Sequence, residues 1–366
     1  MARLATQFAE RGHEVSVVTA AWQEEWPRQV VVRGVPVFRI RQSPRRWQGT
    51  WQYMRGLGRW LHAQRGVYDA ILVSMLKHSA YVAVQHGLRT GCPVVLRAEG
   101  SGETGDCRFQ ETARFGKRIR RRCRQATAII APAQSVADEL WMAGYDREKV
   151  VTIANGVPIP TTIPSRAAAR QALAGIHSDL QVPDDQRLVV YTGRLDRAKG
   201  LRELLDAWPA VLRQHRGARL WLVGEGPYRD ELYQRIKDAE LQQSVCMPGT
   251  FDDVSDLLAA ADLFVLPSYA EGLSLSLLEA MAHGVPTVAS DVPGNRQVIA
   301  DSSTGRLVPP RDAAALSRAM LELLNDPAGA MALGRSGRRR VEQAFSLERM
   351  ADSHLEVIRG ALGPIP

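Results

Sequence analysis

The chain is sparing with cysteine and has no long apolar run. Its four cysteines, Cys92, Cys107, Cys123 and Cys246, form no CxxC pair and no metal-ligand spacing. That argues against a disulfide framework and fits reduced thiols in a cytoplasm. No stretch approaches the ~18 consecutive apolar residues that a membrane-spanning helix needs. The N-terminus lacks a basic start followed by an apolar core and a small-residue cleavage site, so no signal peptide is read there. Neither a repeat of solenoid length nor a low-complexity tract is present. Acidic residues are outnumbered: 47 Lys and Arg against 39 Asp and Glu leave a formal charge of +8. Such a balance favours an anionic partner: phosphates, nucleic acid or an acidic membrane surface.

What is present is a globular composition, 45% hydrophobic and 23% charged, in 366 residues. That length exceeds what one core usually organises, so two domains are expected. Short β-branched runs recur with helical patterns between them: "EVSVVT", "VPVFRI", "AILVSM", "PVVLRA", "ATAIIA" and "VVTI", then "RLVVYT", "ARLWLV", "SVCMP", "DLFVLP" and "PTVAS". Strands alternating with amphipathic helices imply βαβ units and parallel sheets. Between the two sets, residues 157–187 combine prolines, polar residues and one alanine-rich helix, as an interdomain connection would. The expectation is an α/β protein: two Rossmann-like parallel-sheet domains facing across a cleft, over 1–160 and 161–345, with a C-terminal helix over 346–366.

Two basic stretches stand out. "RFGKRIRRRCRQ" sets Phe115, Ile119 and Cys123 on one helical stripe among Lys117, Arg118, Arg120, Arg121, Arg122 and Arg124. "RRWQGTWQYMRGLGRWLHAQRG" aligns Trp47, Trp51, Met54 and Leu61 among Arg45, Arg46, Arg55 and Arg59. Basic amphipathic helices with aromatic faces can lie on anionic membranes; the plainer alternative is a helix packed on its own sheet with a solvated outer face.

The segment "VVYTGRLDRAKGL" ends a strand at Thr192 and turns at Gly193. Arg194 and Lys199 then fall at the carboxyl end of a parallel strand, where open α/β sheets bind ligands. Arginine grips a phosphate with two parallel hydrogen bonds while lysine acts as a point charge, so the pair suits a diphosphate. A second segment, "SYAEGLSLSLLEAMAHGVP", follows the run "DLFVLP". Its loop would expose backbone N–H groups, and the helix after it would turn its positive end to the same anion. Glu271 in the loop and Glu279 in the helix are read as carboxylates that accept hydrogen bonds from two sets of ligand hydroxyls.

With those residues in view, "TGRLDRAKG", "LVGEGPYRDEL", "PGTFDDVSDLLAAADLFVLPS" and "EGLSLSLLEAMAHGVPTVASDVPGNRQVI" resemble, in order over about residues 150–345, the donor-binding domain of glycosyltransferase family 4. Members are retaining enzymes of the GT-B fold. The first half resembles the family through "FAERGHEVSVVT", "YDAILVS" and "VVTIANGV". The resemblance implies a nucleotide diphosphate sugar as donor, transfer with retention, no cofactor and no required metal. By position, Arg194 and Lys199 would neutralise the diphosphate, Glu279 would hold the ribose hydroxyls, and Glu271 would contact donor-sugar hydroxyls. The backbone of Gly272, Leu273, Ser274 and Leu275 would approach sugar and phosphate. Thr250 would lie against the base, with Gly193, Gly224 and Glu225 lining the same site. The implied acceptor is a glycan or lipid-linked precursor, placing the enzyme in cell-surface polysaccharide synthesis, in the cytoplasm or at the inner membrane face. No nucleic acid is implied.

The chain departs from the family pattern in two places. It begins at "MARLATQFAERGHEV", inside what reads as the helix after the family's first strand, so a strand and loop of about 15–25 residues are expected to precede it. Where many members carry a histidine after the fourth strand, this chain has "LRAEGSGETGD". Glu99, Ser101 and His78 are therefore the acceptor-side candidates. Alternatives from other classes are a nucleotide-sugar epimerase of the same fold, which would need no acceptor, and a truncated, non-catalytic nucleotide-sugar-binding homologue. "GEGPYR" falls short of a GxGxxG fingerprint. The pairs Asp184–Asp185 and Asp252–Asp253 join no histidine cluster, and the arginines of "GRSGRRRVEQAF" are expected on a solvated helical face.

Overall fold

A computed structural model describes residues 1–43, 46–100, 102 and 105–363; Arg45 and Ser101 lie outside the described residues. The chain divides into two compact units, Met1–Asn155 with Leu347–Pro366, and Gly156–Ser346.

The first unit opens with helix α1 (Ala2–Glu10), then strands β1 (Val17–Ala21), β2 (Gln29–Val32) and β3 (Val35–Arg41) and helix α2 (Arg46–Ala63). β4 (Ile71–Ser74), α3 (His78–Thr90), β5 (Val94–Arg97), α4 (Asp106–Thr112), α5 (Gly116–Cys123), β6 (Ala128–Ala131), α6 (Gln134–Met142) and β7 (Val150–Thr152) follow. One sheet has the order β1-β3-β2 and the other β4-β5-β6-β7, the latter parallel throughout. β2 departs from the all-parallel expectation, pairing antiparallel with β3. The reason is a two-residue turn in which Arg33 (φ 51°) and Gly34 (φ 79°) both take positive φ, the backbone twist a tight hairpin requires.

The second unit carries α7 (Arg166–Ile176), β8 (Leu188–Thr192), α8 (Leu201–Gln214), β9 (Arg219–Val223), α9 (Arg229–Asp238), β10 (Val245–Gly249), α10 (Ser255–Ala260) and β11 (Leu263–Leu266). α11 (Leu275–Ala282), β12 (Thr287–Ser290), α12 (Pro293–Val298), β13 (Arg306–Val308), α13 (Ala313–Asn325) and α14 (Pro327–Ala344) complete it. Its sheet is parallel in the order β10-β9-β8-β11-β12-β13. β8 and β11, in the middle, are buried at every position, as strands covered on both faces must be. α8 buries Leu201, Leu204, Leu205 and Trp208, an i, i+3, i+4, i+7 stripe.

Three expectations need correction. Residues 157–187 are part of the second unit rather than a free connection. α7 packs on α10, and the buried Arg170 bonds Asp262 at 2.8 Å and the carbonyls of Ala260, Pro183 and Gln186. The arginines near the C-terminus are not simply solvated: Arg338 donates to the carbonyls of Ala282 and Pro160, and Arg340 to those of Gln297 and Val298. The aromatic stripe of α2 is divided, because Leu57 and Leu61 face the core while Trp47 and Trp51 face solvent.

The last helix, α15 (Leu347–Leu362), returns to the first unit, where Ala351 and Leu355 pack against Leu4 and Phe8 of α1. Its His354 is fully buried; Nδ1–H donates to the Met350 carbonyl at 2.7 Å, and Nε2 has no partner among the described residues. Burial, chiefly, lowers its pKa from 6.5 to about 4. The folded state therefore binds this proton less readily than the unfolded chain. As pH falls from about 6.5 to about 4, stability should drop by roughly 2–3 kcal/mol and then level off with respect to this group. Chemical denaturation across that range checks this, with His354→Gln expected to lose that part of the slope.

Candidate active site

In a parallel sheet every strand delivers its following loop to the same edge, and the donor-side candidates occupy that edge of the second unit. Gly193 and Arg194 leave β8, Gly224 and Glu225 leave β9, Thr250 follows β10, and the Glu271 loop follows β11. These four strands are neighbours in the order β10-β9-β8-β11. Backbone bonds continue the ladder into the loops: Gly193 N–H donates to Val223 O (3.0 Å), Leu195 N–H to Glu225 O (2.9 Å) and Gly224 N–H to Gly249 O (2.7 Å). Gly224 permits this approach. Its φ is 140°, and a Cβ there would lie 1.9 Å from the Gly193 carbonyl oxygen.

Lys199 and Glu271 come together. After Gly193 the chain makes one 3-10 turn, Arg197–Lys199, closed by the Asp196 carboxylate accepting from Ala198 N–H at 3.1 Å. Lys199 Nζ then reaches Glu271 Oε1 at 2.7 Å, with the two side chains 27% and 9% exposed. Arg194 stands apart, 66% exposed, with Asp196 at 3.9 Å its ion-pair neighbour among the described residues. Glu225 pairs with Arg229 at 3.0 Å, and Thr250 is exposed.

Gly272 is half-buried and Leu273 buried. Ser274 caps α11, its hydroxyl accepting from Leu277 N–H at 3.4 Å and lying 3.0 Å from the Ser276 hydroxyl. Leu275 is exposed, and Glu279 lies half-buried one turn further along α11. The leading N–H groups of a helix lack intrahelical partners and carry partial positive charge. The edge thus gathers Arg194, Lys199 and a capped helix end, with carboxylates at 271 and 279. Such a set can hold an anion and hydrogen-bond hydroxyl groups.

Sequence reasoning missed the residues that fix the Glu271 loop. Tyr269 donates its hydroxyl to Glu203 at 2.6 Å and its N–H to Ala198 O at 2.8 Å, and the Arg311 guanidinium lies 4.2 Å from its ring centroid. Burial, followed by the Glu203 bond, raises the Tyr269 pKa to about 12, so it stays a donor. Tyr191 donates to Arg194 O at 2.9 Å, and its pKa is raised by burial and then by Glu271. The i, i+4 spacing of Lys199 and Glu203 was the available signal for Glu203; Arg311, at positive φ 63° after β13, had none.

The acceptor-side candidates belong to the first unit, at the carboxyl ends of β4 and β5. His78 begins α3, its ring edge-on to Phe109 at 5.6 Å, and burial followed by the Lys77 charge lowers its pKa. Glu99 accepts from the Ser74 hydroxyl at 2.5 Å and pairs with Arg97, which also bonds Asn155. One residue that sequence reasoning passed over joins the two loops. Buried Asp106 accepts from Leu76 N–H and Glu99 N–H, each at 2.9 Å. Burial raises its pKa and those two N–H donors oppose the rise. Among the described residues, no group of three His, Cys, Asp or Glu could hold a metal ion.

Removing Lys199 would leave the Glu271 carboxylate largely buried and unpaired. Lys199→Met is expected to destabilise the protein by about 1–3 kcal/mol, and Lys199→Met with Glu271→Gln to recover much of that loss. Urea denaturation of the two single variants and the double variant measures the coupling.

Residues 1–159 match glycosyltransferase family 4, and residues 175–340 match glycosyl transferases group 1. Glycogen synthase of Mycobacterium tuberculosis is 30% identical over 241 residues; the match takes in 65% of this chain but 55% of that protein, about half its length. Among solved structures, sucrose-phosphate synthase from Thermosynechococcus elongatus superposes with a TM-score of 0.81 at 24% identity, covering 98% of this chain and 91% of that one. Anabaena HepE in complex with UDP-glucose gives 0.79 at 20% identity, covering 98% and 96%. The fold is GT-B, an α/β architecture of two Rossmann-like domains, and the chain belongs to the glycosyltransferases of family 4 and group 1.

Proposed function

We propose that the protein transfers a sugar, with retention of anomeric configuration, from a nucleotide diphosphate sugar to a hydroxyl of a glycan or lipid-linked acceptor. One observation carries the reading: Arg194, Lys199 and the leading end of α11 lie at one edge of a parallel sheet, with Glu271 in contact with Lys199. In this reading the bond from the anomeric carbon to the phosphate oxygen breaks and its electron pair leaves with the diphosphate. The acceptor oxygen forms the new bond and passes its proton to the departing diphosphate. Charge grows on the departing diphosphate, where fixed cations and N–H donors act most strongly, each worth ~10²–10³ in rate by analogy with oxyanion sites. Glu279 would hold the ribose hydroxyls, Glu271 the sugar hydroxyls, and the wall of Gly224, Glu225 and Thr250 the base. Glu99 and His78 would border the acceptor, and neither metal nor cofactor enters the scheme.

We place the enzyme in the cytoplasm, in polysaccharide assembly; its four cysteines are free, as a reducing compartment requires. No helix among the described residues is long and apolar enough to cross a membrane.

A thermal-shift screen against UDP-, GDP- and ADP-sugars tests donor binding, since a ligand of the folded state raises the melting temperature by mass action. UDP-glucose, the ligand of HepE, heads the screen. A stabilising donor is expected, and no shift with any donor counts against the reading. Lys199→Ala and Glu279→Ala should each cut transfer at least ~10²-fold; undiminished turnover in either removes that residue from the site.

A further inference from the structure

We infer that Tyr269 is a positioning residue for the transfer reaction: held by Glu203 and Arg311, it sets Lys199 and Glu271 against each other at the ligand edge. This rests on the donor-binding reading of that edge. The turn that carries Lys199 is gripped from both neighbouring loops. From the loop after β9, Tyr228 N–H donates to Leu195 O at 3.1 Å, and the Arg197 guanidinium lies 5.1 Å from the Tyr228 ring centroid. From the loop after β11, Tyr269 N–H donates to Ala198 O at 2.8 Å. Directly behind Lys199, Gly200 takes φ 65°, and a Cβ there would meet Pro267 O at 2.0 Å and Tyr269 Cε1 at 3.3 Å. The two backbones therefore touch on either side of the ion pair. Tyr269 stands two residues before Glu271, and its ring packs on the residue after Lys199.

The two grips differ. Arg197 is 74% exposed, and its pairing with Glu231 ties the turn to α9 at the surface, where ion pairs hold little. Tyr269 is half-buried, and its hydroxyl bond to Glu203 and its cover by Arg311 bring α8, the loop after β11 and the loop after β13 to one ring. Local energetics do not ask for this meeting. Glu203, in the first turn of α8, already suits the helix dipole without a tyrosine. Arg311 holds a left-handed φ of 63°, unfavourable for any residue with a side chain. Such strain persists where the surroundings over-determine it, commonly at ligand sites. What the arrangement supplies is placement. A misplacement of about 1 Å can cost a reaction ~10²-fold, and a lysine on a long flexible stem needs a fixed backbone to keep its ammonium at one point.

The full chain is titrated calorimetrically with UDP, GDP and ADP, and the variants with whichever binds most tightly. Tyr269→Phe keeps the ring and removes the hydroxyl; it is expected to weaken binding ~10-fold. Glu203→Ala should do the same, and the two together no more than either alone. Glu203→Gln still accepts a bond from the hydroxyl and should bind as the wild type does. In a Lys199→Ala background Tyr269→Phe should weaken binding no further, because the group it places is gone. Circular dichroism verifies folding of each variant, and titration well below the melting temperature separates affinity from stability. A tyrosine that only supports the fold would lower the melting temperature and leave binding unchanged. Undiminished binding in Tyr269→Phe, or the same loss with and without Lys199, overturns the proposal and leaves the donor reading standing. Wild-type protein that binds none of the three nucleotides overturns the donor reading, and this proposal with it.

Discussion

The ion pair between Lys199 and Glu271 joins the loop after β8 to the loop after β11, two strands adjacent in the sheet. Both groups sit where a charge is expensive to leave alone, and Glu271 is the more deeply placed. A carboxylate with so little access to water needs a cation, and a lysine so held has its ammonium already at the sheet edge. Tyr269, pinned by Glu203 and covered by Arg311, keeps the second loop within reach of the first. The stability of this edge and its capacity for an anion therefore depend on the same atoms. An incoming diphosphate would find the lysine in place and would share it with Glu271.

The shared placement of the donor-side candidates was legible in the sequence because a parallel sheet leaves few choices. Buried strands are short and β-branched, and whatever follows them appears at one edge; "VVYTGRLDRAKG" and "DLFVLPSYAEG" could thus be placed together before any coordinates. The Lys199–Glu271 contact was not legible, since period and composition place residues on elements but do not choose which side chains meet. Arg311 was hidden because it reaches Tyr269 from a loop distant in sequence. The reading of 157–187 as a connection failed because proline-rich composition resembles a linker, while Arg170 anchors the segment through carbonyls and Asp262. The hairpin of β2 and β3 escaped because β2 is only four residues long and the turn Arg33–Gly34 lacks the usual asparagine or aspartate.

In the first unit a buried carboxylate does the joining that an ion pair does in the second. Asp106 bonds the N–H groups of Leu76 and Glu99, so the loops after β4 and β5 carry His78 and Glu99 on a common support. The sequence offered no pattern for it, because a lone aspartate at a helix start looks like an ordinary N-terminal charge. The same unit carries the cationic face of α5, where Arg118 and Arg121 find no carboxylate among the described residues, whereas Arg338 and Arg340 of α14 donate to backbone carbonyls and Arg338 also pairs with Glu342. Similar arginine-rich strings in the sequence thus end in different surroundings, which composition alone does not distinguish.

The most direct test of the central claim is a crystal structure with a bound nucleoside diphosphate. The account expects phosphate oxygens within about 3 Å of Lys199 Nζ and of the N–H groups that open α11, with Arg194 turned toward them and the ribose at Glu279. Phosphates bound elsewhere on the chain, with Lys199 engaged by Glu271 alone, would contradict it.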